Sequence, residues 1–357
     1  MIDLSDRSNS FYWQTDRKLD VEDFDRIFLK RHSVPDKKLE QILRDGITTI
    51  APITRIEFEV ADENVKKGNV NIVRKVKING KEYVARMHPL GVKNGYFYVE
   101  KLVLDLTREN GLLVPQILEI HEARDENDMD FILMTVSHGS TMDVFLSGDK
   151  SKETQLLIDC GKKMAQIHKI SVSGYGSFNN VEAKHGKLHG LHASYHDFIH
   201  VGLDENLDRL TRFEILSDSQ AKQMKAIFTE NNFEPMSGPR LIHNDFADWN
   251  LLTDGNEITA ILDWDECHAG DPVADLACWS TFFTMERYET FLKGYTILEQ
   301  LPEDYEKRFH FYRLRYTISK MALRIKRFQV DKDSGLAERL RIGKLALIEE
   351  SQWFGIK

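Results

Sequence analysis

The chain has 357 residues, of which 41% are hydrophobic and 29% are charged, and its formal net charge at pH 7 is −9. This length suffices for two lobes with separate cores, and the acidic balance disfavours a nucleic-acid partner and favours a cationic small molecule. The chain shows neither an apolar run of membrane length, a signal-peptide layout nor a cysteine framework, so we expect a cytoplasmic protein without a membrane partner.

The first 46 residues are predicted to be partly helical. Val21, Phe24 and Ile27 share one face of a helix. Pro35 ends that helix before a second one over residues 37–43. Nothing in this segment indicates chemistry, and we expect it to pack as a cap on the first lobe.

Three β-strands are predicted next, over residues 54–60, 70–78 and 82–87. Their side chains alternate between polar and apolar, and Asn79-Gly80 is a strong hairpin signal between the last two strands. The polar loop between the first two strands carries Lys67. This lysine is a candidate phosphate contact, although a surface hairpin tip would have the same pattern.

Arg86 in the third strand is a second candidate phosphate contact. Its guanidinium is a planar fork that can bind phosphate with two hydrogen bonds. The alternative interpretation is that Arg86 is only a charge on the solvent-facing side of the strand. Residues 96–110 are predicted to form a helix with Glu100 near its start. Glu100 gives Arg86 an acidic partner, and the prospect of an Arg86–Glu100 pair favours the functional interpretation.

After two more short strands, over residues 112–120 and 131–135, the rest of the chain is predicted to be mostly helical. Helices are expected over residues 151–168, 195–216, 217–231, 282–296, 303–328 and 335–354. The helix over residues 303–328 is rich in arginine and lysine, and a solvated basic face is the expectation for it. Five histidines between residues 185 and 200 lack the spacing of a metal site.

The polar residues over residues 241–263 are spaced as in a catalytic site. Residues 250–253 and 258–262 are predicted to pair as a hairpin across a turn at residues 254–257. This pairing places Asn250 roughly opposite Ile261, with Asp263 about 7 Å further along at strand rise. The loop from His243 to Asp248 then folds over the same end.

This arrangement suits phosphoryl transfer. Asn250 and Asp263 offer the oxygen ligands that Mg²⁺ prefers when substrate phosphates supply the remainder. Asp245, five residues before Asn250, can accept the proton of an attacking hydroxyl group.

Three motifs resemble the aminoglycoside phosphotransferase family of small-molecule kinases. They are His243-x-Asp245-x4-Asn250, the run Ile-Leu-Asp-Trp-Asp-Glu over residues 261–266, and Gly-Asp-Pro-Val-Ala-Asp-Leu-Ala over residues 270–277. Residues 83–86, 173–178 and 252–266 resemble the hygromycin B phosphotransferase branch of this family. The resemblance covers residues 50–330.

The resemblance implies an α+β, bilobal, protein-kinase-like fold. A small β-rich N-terminal lobe would occupy residues 1–134, and a larger, mostly helical C-terminal lobe would occupy residues 135–357. Arg86 stands where the family usually has a lysine, and its pair with Glu100 would resemble the strand–helix ion pair of kinases. The backbone of Thr135 and Ser137 would contact the purine edge at the hinge between the lobes.

The resemblance also implies a reaction and a set of roles. ATP or GTP, with Mg²⁺, would donate its γ-phosphoryl group to a hydroxyl of an aminoglycoside or aminocyclitol antibiotic, which would confer resistance. The implied roles are a base at Asp245, a loop fixed by His243, Mg²⁺ ligands at Asn250 and Asp263, a structural brace at Asp275, nucleotide contacts at Arg86, Glu100, Lys67, Thr135 and Ser137, and acceptor contacts at Asp248, Asp265 and Glu266.

Three alternatives remain open from the sequence. The acceptor can be another metabolite, such as a sugar or an amino alcohol, because fold does not decide the substrate. A metal-dependent phosphoesterase could use His243, Asp245 and Asp263, but it would need further histidine and aspartate clusters. A nucleotide-binding regulator without activity is disfavoured by the intact Asp245, Asn250 and Asp263.

Overall fold

A five-stranded antiparallel sheet and a helical lobe face each other across a cleft in the computed structural model of the chain. The structure describes residues 2–12, 34–59, 71–93, 95–146, 148–235, 238–330, 332 and 334–356. The helix predicted around residues 21–28 and the candidate Lys67 therefore lie outside the described residues. The architecture is α+β and kinase-like, with a β-rich N-terminal part and a helical C-terminal part, as expected.

The N-terminal lobe is built around the five-stranded sheet, whose strand order is β2-β3-β4-β7-β6. Its elements are β1 (Ile2–Asp3), α1 (Asp36–Gly46), β2 (Ile56–Phe58), β3 (Ile72–Ile78), β4 (Lys81–Met87), β5 (Val92–Lys93), α2 (Phe97–Glu109), β6 (Ile117–His121) and β7 (Phe131–Met134).

The predicted hairpin at Asn79-Gly80 is confirmed. Both residues have positive φ angles, of 51° and 85°, which suit the tight turn between twisted strands. The side chain of Asn79 also ties β2 to this turn, because its Oδ1 accepts the backbone N–H groups of Thr54 at 2.8 Å and Arg55 at 3.2 Å. The turn fixes the register in which Val73 pairs with Arg86.

The N-terminal segment divides between the two lobes. Helix α1 packs on the sheet through Leu39, Ile42 and Leu43, as expected for a cap on the first lobe. Residues 2–12 behave differently, because β1 pairs with β5 whereas Phe11 lies against Phe198 of the second lobe. The expectation that the whole segment caps the first lobe therefore holds for α1 and β1 and is wrong for Phe11, which packs on the second lobe.

The C-terminal lobe contains most of the helices and two small sheets. Its elements are β8 (Ser140–Thr141), α3 (Lys150–Ile167), β9 (Tyr175–Phe178), α4 (Asn180–Ala183), β10 (Gly190–His192), α5 (Tyr195–His200), α6 (Leu203–Arg212), α7 (Asp218–Glu230), β11 (Arg240–Ile242), β12 (Leu251–Thr253), β13 (Ile258–Ile261), β14 (His268–Gly270), α8 (Pro272–Ser280), α9 (Met285–Tyr295), α10 (Tyr305–Val330) and α11 (Ser334–Trp353). Strands β13, β12 and β8 form one sheet, and β10, β9, β14 and β11 form the other.

Two predictions for the helical lobe are wrong. The single helix predicted over residues 195–216 is two helices, because Gly202 adopts a φ of 67° at the start of α6. The basic helix α10 does not present a solvated face. Arg315 is fully buried, where its guanidinium donates to the carbonyl oxygens of Ile199 and Val201, and Lys320 is 6% exposed. None of the described helices is long and apolar enough to cross a membrane.

Candidate active site

A cavity of about 450 Å³ lies between the sheet and the helical lobe. Its lining joins three parts of the chain. These are the inner face of β3, β4 and α2 (Asn71, Val73, Lys75, Val84, Arg86, Glu100 and Leu104), the connection between the lobes (Pro115, Met134, Thr135, Val136, Ser137 and Gly139), and the segment around the second hairpin (Asp245, Trp249, Asn250, Leu252, Leu262, Asp263, Trp264, Asp265 and Glu266).

The predicted pair between Arg86 and Glu100 is present at the roof of this cavity. Both side chains are buried, and the second nitrogen of the Arg86 fork donates to Asp263 at 3.2 Å. Burial lowers the pKa of Arg86, but the two carboxylates outweigh this and raise it overall. Burial raises the pKa of Glu100 to about 7, while Arg86 opposes the rise. Arg86 therefore stays charged and links the sheet, α2 and the opposite lobe.

The hairpin of β12 and β13 places Asn250 one residue earlier, relative to its partner strand, than the sequence predicts. Leu251, and not Asn250, pairs with Ile261, because the register shifts by one residue between Leu252, which pairs with Ala260, and Thr253, which pairs with Ile258. Residues 248–250 form a single 3₁₀ turn before β12 begins. The Leu262 N–H still donates to the Asn250 carbonyl at 2.8 Å. Asn250 and Asp263 thus both remain at the open end of the hairpin, where both line the cavity.

Asp245 is 8% exposed, and its carboxylate is held by Asn250. The Nδ2 group of Asn250 donates to the carboxylate and to the carbonyl of Asp245, each at 2.9 Å. Burial raises the pKa of Asp245 well above its usual range, and the charges of Asp263 and Glu266 act in the same direction. Lys320 opposes them, so the buried lysine that sequence analysis assigned to solvent is a counter-charge of Asp245.

His243 holds the loop before Asp245 as a neutral ring. Burial lowers its pKa to about 4. The Asp245 N–H donates to His243 Nδ1 at 3.3 Å, so the ring proton belongs on Nε2, which faces the Leu262 carbonyl at 3.0 Å. The ring therefore connects the loop to the segment that carries Asp263.

Asp275 braces the same loop from behind. Its carboxylate accepts the backbone N–H groups of His243 at 2.9 Å and Asn244 at 3.0 Å, and it also faces His168 at 3.2 Å. The structural role expected for Asp275 is thereby confirmed, and the brace fixes the backbone on which Asp245 stands.

Asp263 has an unusual backbone and an accessible side chain. Its φ of 58° lies in the left-handed region, which is strained for a residue other than glycine and is typical of functional sites. Its side chain is 43% exposed, and its carboxylate both lines the cavity and accepts from Arg86. Burial within the cleft raises its pKa, and Arg86 counteracts this.

The three candidate acceptor contacts differ in their surroundings. Asp265 is engaged by Arg7, which donates to it at 2.7 Å, and this pairing outweighs burial and lowers the pKa of Asp265 to about 2. Glu266 is 7% exposed and lines the cavity. Asp248 is half-buried and is not among the described residues that line the cavity; its charge acts on Cys160 of α3.

Three residues near the site were missed by sequence analysis. Lys75 of β3 and Asn71, directly before β3, line the cavity together with Arg86, and strand alternation together with the hairpin register would have placed them there. Arg7 had no such signal. Thr135 and Ser137 do line the cavity at the connection between the lobes, where they were expected.

The donor set fits a hard divalent cation that also contacts phosphates. Because Nδ2 of Asn250 donates to Asp245, its Oδ1 is the atom that suits a cation, and Asp263 adds a carboxylate. No group of three or more histidine, cysteine, aspartate or glutamate side chains of metal-binding geometry occurs among the described residues. A cation here would have one or two protein ligands, as is common for Mg²⁺ beside substrate phosphates.

Comparisons with known proteins agree with this geometry. Residues 63–311 match the phosphotransferase enzyme family. Hygromycin-B 4-O-kinase from Escherichia coli is 22% identical over 219 residues, which is 60% of this chain and 60% of the relative. The matched part of the chain thus spans less than two thirds of that curated relative.

Solved structures show the same fold. A thermostable mutant of aminoglycoside phosphotransferase APH(4)-Ia, in ternary complex with AMP-PNP and hygromycin B, superposes with a TM-score of 0.62 at 19% identity, over 89% of this chain and 99% of the other. The gentamicin complex of APH(2")-IIa superposes with a TM-score of 0.53 at 16% identity, over 88% and 96% of the two chains. Since the family match covers well over half of its residues, the chain belongs to the phosphotransferase enzyme family.

Proposed function

We propose that this protein is a kinase that transfers the γ-phosphoryl group of ATP or GTP, with Mg²⁺, to a hydroxyl group of an aminoglycoside or aminocyclitol. The observation that carries the proposal is the shared cavity of Asp245, Asn250, Asp263 and Arg86. It is supported by the hygromycin-B 4-O-kinase relative and by a structural neighbour that binds AMP-PNP and hygromycin B. Residues 1–134 would form the nucleotide lobe, residues 135–357 the acceptor lobe, and the reaction would take place in the cytoplasm.

At the nucleotide end, Arg86 would contact the phosphates, and Glu100 would hold its guanidinium in place. Asn250 and Asp263 would hold Mg²⁺, which would neutralise charge that develops on the phosphoryl oxygens. The backbone of Thr135 and Ser137 would contact the purine. Phosphoryl transfer depends mainly on such positioning and charge stabilisation, and little covalent chemistry falls to the protein.

At the acceptor end, Asp245 would accept the proton of the attacking hydroxyl. The buried Lys320 and the hydrogen bond from Asn250 favour its ionised form against the nearby carboxylates. Braced by Asp275 and by the neutral His243, the loop would keep the carboxylate in one orientation. This rigidity favours the near-attack geometry that the reaction requires.

The acceptor is proposed to be cationic because Glu266 adds a carboxylate beside Asp245 and Asp263 in the cavity lining. An ammonium group of the acceptor would reduce the repulsion among these acids. We take Glu266 as the main acceptor contact. Asp265, which Arg7 already neutralises, and Asp248, outside the cavity lining, are weaker candidates.

A phosphorylation screen tests the proposal. The purified protein is incubated with Mg²⁺, either ATP or GTP, and one acceptor at a time from four classes: aminoglycosides, aminocyclitols, neutral sugars and amino alcohols. The masses of the products are measured by mass spectrometry. We expect one added phosphoryl group on an aminoglycoside or aminocyclitol. Phosphorylation of neutral sugars alone would contradict the acceptor class, and no phosphorylation of any acceptor would contradict the kinase proposal.

A further inference from the structure

The N-terminal segment over residues 2–12 contacts both lobes beside the proposed kinase site. Its β1 strand is held by the first lobe, since the Leu4 N–H donates to the Lys93 carbonyl at 2.7 Å. Phe11 lies 5.1 Å from the rings of both Phe198 and Tyr316 in the second lobe. This segment lies outside residues 63–311, the part of the chain that matches the family. Its contacts are thus an addition to the family-matching segment.

Arg7 of this segment reaches the acidic run after Asp263. Its side chain is 2% exposed, and its guanidinium donates both to the carboxylate of Asp265, at 2.7 Å, and to the Asp265 backbone carbonyl. Side chain and backbone of the same residue are therefore gripped by one planar fork. Such a two-point contact fixes orientation as well as charge.

The Tyr96 ring packs against the flat face of the Arg7 guanidinium. The Arg7 guanidinium carbon lies 3.5 Å from the centre of the Tyr96 ring. The Tyr96 hydroxyl donates to the Cys267 carbonyl at 2.9 Å and accepts the Phe178 N–H at 3.1 Å. Arg7 thus rests on a ring that is itself anchored just after Glu266. The cluster therefore holds the run after Asp263 at two points, Asp265 and Cys267.

The charge balance of the site gives Arg7 a further effect. Asp263 and Asp265 are two residues apart, and among the described residues Arg86 is, after Arg7, the next cation whose charge acts on Asp265. Arg86 is already shared between Glu100 and Asp263. Without Arg7, Asp265 would compete with Asp263 for Arg86. The result would be a displaced guanidinium and a Mg²⁺ ligand in the wrong place.

We propose that Arg7 is a positioning residue of the kinase site, which binds Asp265 so that Asp263 and Arg86 remain available for the Mg²⁺–nucleotide complex. This inference rests on the proposed function. Arg7 itself contacts no substrate; it acts through Asp265. The N-terminal segment thus contributes to the site through Arg7.

The test combines nucleotide binding with thermal unfolding. Arg7→Met removes the charge and the fork, Arg7→Lys keeps the charge alone, and Arg7→Met combined with Asp265→Asn removes the uncompensated carboxylate as well. Phe11→Leu is the matched control, because it weakens the packing of the same segment away from Asp265. Kd for Mg-ATP and Mg-GTP is measured by calorimetry, and Tm is measured without nucleotide.

We expect Arg7→Met to raise the Kd of the Mg²⁺–nucleotide complex at least tenfold, with an intermediate value for Arg7→Lys. The added Asp265→Asn change should bring Kd back to within about threefold of the wild type, since Arg86 is then no longer diverted. Phe11→Leu should lower Tm and leave Kd unchanged. If Arg7→Met does not fold, the comparison of Arg7→Lys with Phe11→Leu decides.

An unchanged Kd in folded Arg7→Met, or an equal rise in Phe11→Leu, would overturn the inference. A wild-type protein that binds neither nucleotide would instead overturn the proposed function. The unfolding data then still test the pairing, because a Tm loss in Arg7→Met that the added Asp265→Asn change leaves undiminished would show that the two residues do not act together.

Discussion

The amide of Asn250 and the carboxylate of Asp245 are joined by a hydrogen bond of 2.9 Å, so the proposed metal ligand also orients the proposed base. Asn250 reaches the Asp245 backbone carbonyl with the same nitrogen. The two functions that sequence spacing assigns to separate residues are thus mechanically coupled. Several substitutions in this region should therefore affect more than one kinetic constant.

Asp245→Asn keeps the size of the side chain and removes the proton acceptor. We expect turnover to fall by about 10²–10⁴-fold, the usual contribution of a general base, while the Kd of the Mg²⁺–nucleotide complex changes little. Steady-state kinetics and calorimetry on the same preparation check this. A turnover within a few-fold of the wild type would contradict the role of Asp245.

Asp263→Ala and Asn250→Ala should have different effects on nucleotide binding and turnover. Asp263→Ala removes the carboxylate ligand and should abolish activity and weaken binding of the Mg²⁺–nucleotide complex. Asn250→Ala loses a neutral ligand that water can replace, but it also releases Asp245. We therefore expect a smaller loss of binding and a clear fall in turnover. Binding that is unchanged in Asp263→Ala would refute the metal assignment.

Arg86→Lys tests the shared guanidinium. A lysine carries one compact charge and cannot hold Glu100 and Asp263 together as the fork does. A hydrogen bond between charged groups contributes about 1.5–3 kcal/mol, so the nucleotide KM should rise about ten- to a hundredfold. Arg55→Lys, at an exposed ion pair with Glu57, is the control and should leave KM unchanged. Equal KM values for Arg86→Lys and the wild type would contradict the contact.

Local pattern was enough to predict the hairpin at Asn79-Gly80, whereas the Arg86–Glu100 pair was predicted with the help of the resemblance to kinases. Strand alternation and a nearby helix bring the pair together within 14 residues, and the turn needs only two residue types. The hairpin before Asp263 was predicted one residue out of register. The cause is the irregularity in the hairpin between Leu252 and Thr253, which shifts the pairing by one residue and which the turn signal does not reveal.

Long-range packing explains what the sequence did not reveal. Arg7 and Asp265 are 258 residues apart, and no periodicity links them. Lys320 belongs to a helix whose charges were expected to face water. Its ammonium group instead lies 3.4 Å from the centre of the Phe282 ring in the interior. Burial of a charge depends on which elements pack around it, and local pattern does not contain that information.

Two buried histidines should make folding stability depend on pH. Burial lowers the pKa of His243 and of His268 to about 4, below the unfolded value of about 6.5. The unfolded chain therefore binds more protons between these values. Each neutral ring contributes fully to the free energy of unfolding above pH 6.5. This contribution is lost as the pH falls towards 4, and the loss amounts to about 3 kcal/mol per ring.

The test of this linkage is the free energy of unfolding from pH 4.5 to 7.5. His268→Gln should make the free energy of unfolding depend less on pH, because one of the two titrating rings is removed. His138→Gln, at an exposed position, should leave the pH dependence of this free energy unchanged. Parallel curves for the wild type and His268→Gln would show that this ring is not held neutral in the fold.

Glu266→Gln tests the charge of the acceptor. Removal of this carboxylate should raise the KM of an aminoglycoside about ten- to a hundredfold and leave the nucleotide KM unchanged, because a hydrogen bond to a charged group is lost. The difference should shrink as salt rises, since a partly open ion pair is screened. Acceptor KM is measured against ionic strength for both proteins. Coinciding curves would exclude Glu266 as an ammonium contact.

The fate of the γ-phosphoryl group tests the central claim most directly. ATP or GTP labelled at the γ-phosphate is incubated with Mg²⁺, an aminoglycoside acceptor and either the wild type or Asp245→Asn, and the label is followed into the acceptor and into inorganic phosphate. Our account predicts acceptor-dependent transfer of the label to the aminoglycoside by the wild type and its loss in Asp245→Asn. Label that appears only as inorganic phosphate, or transfer that survives Asp245→Asn at the wild-type rate, would contradict it.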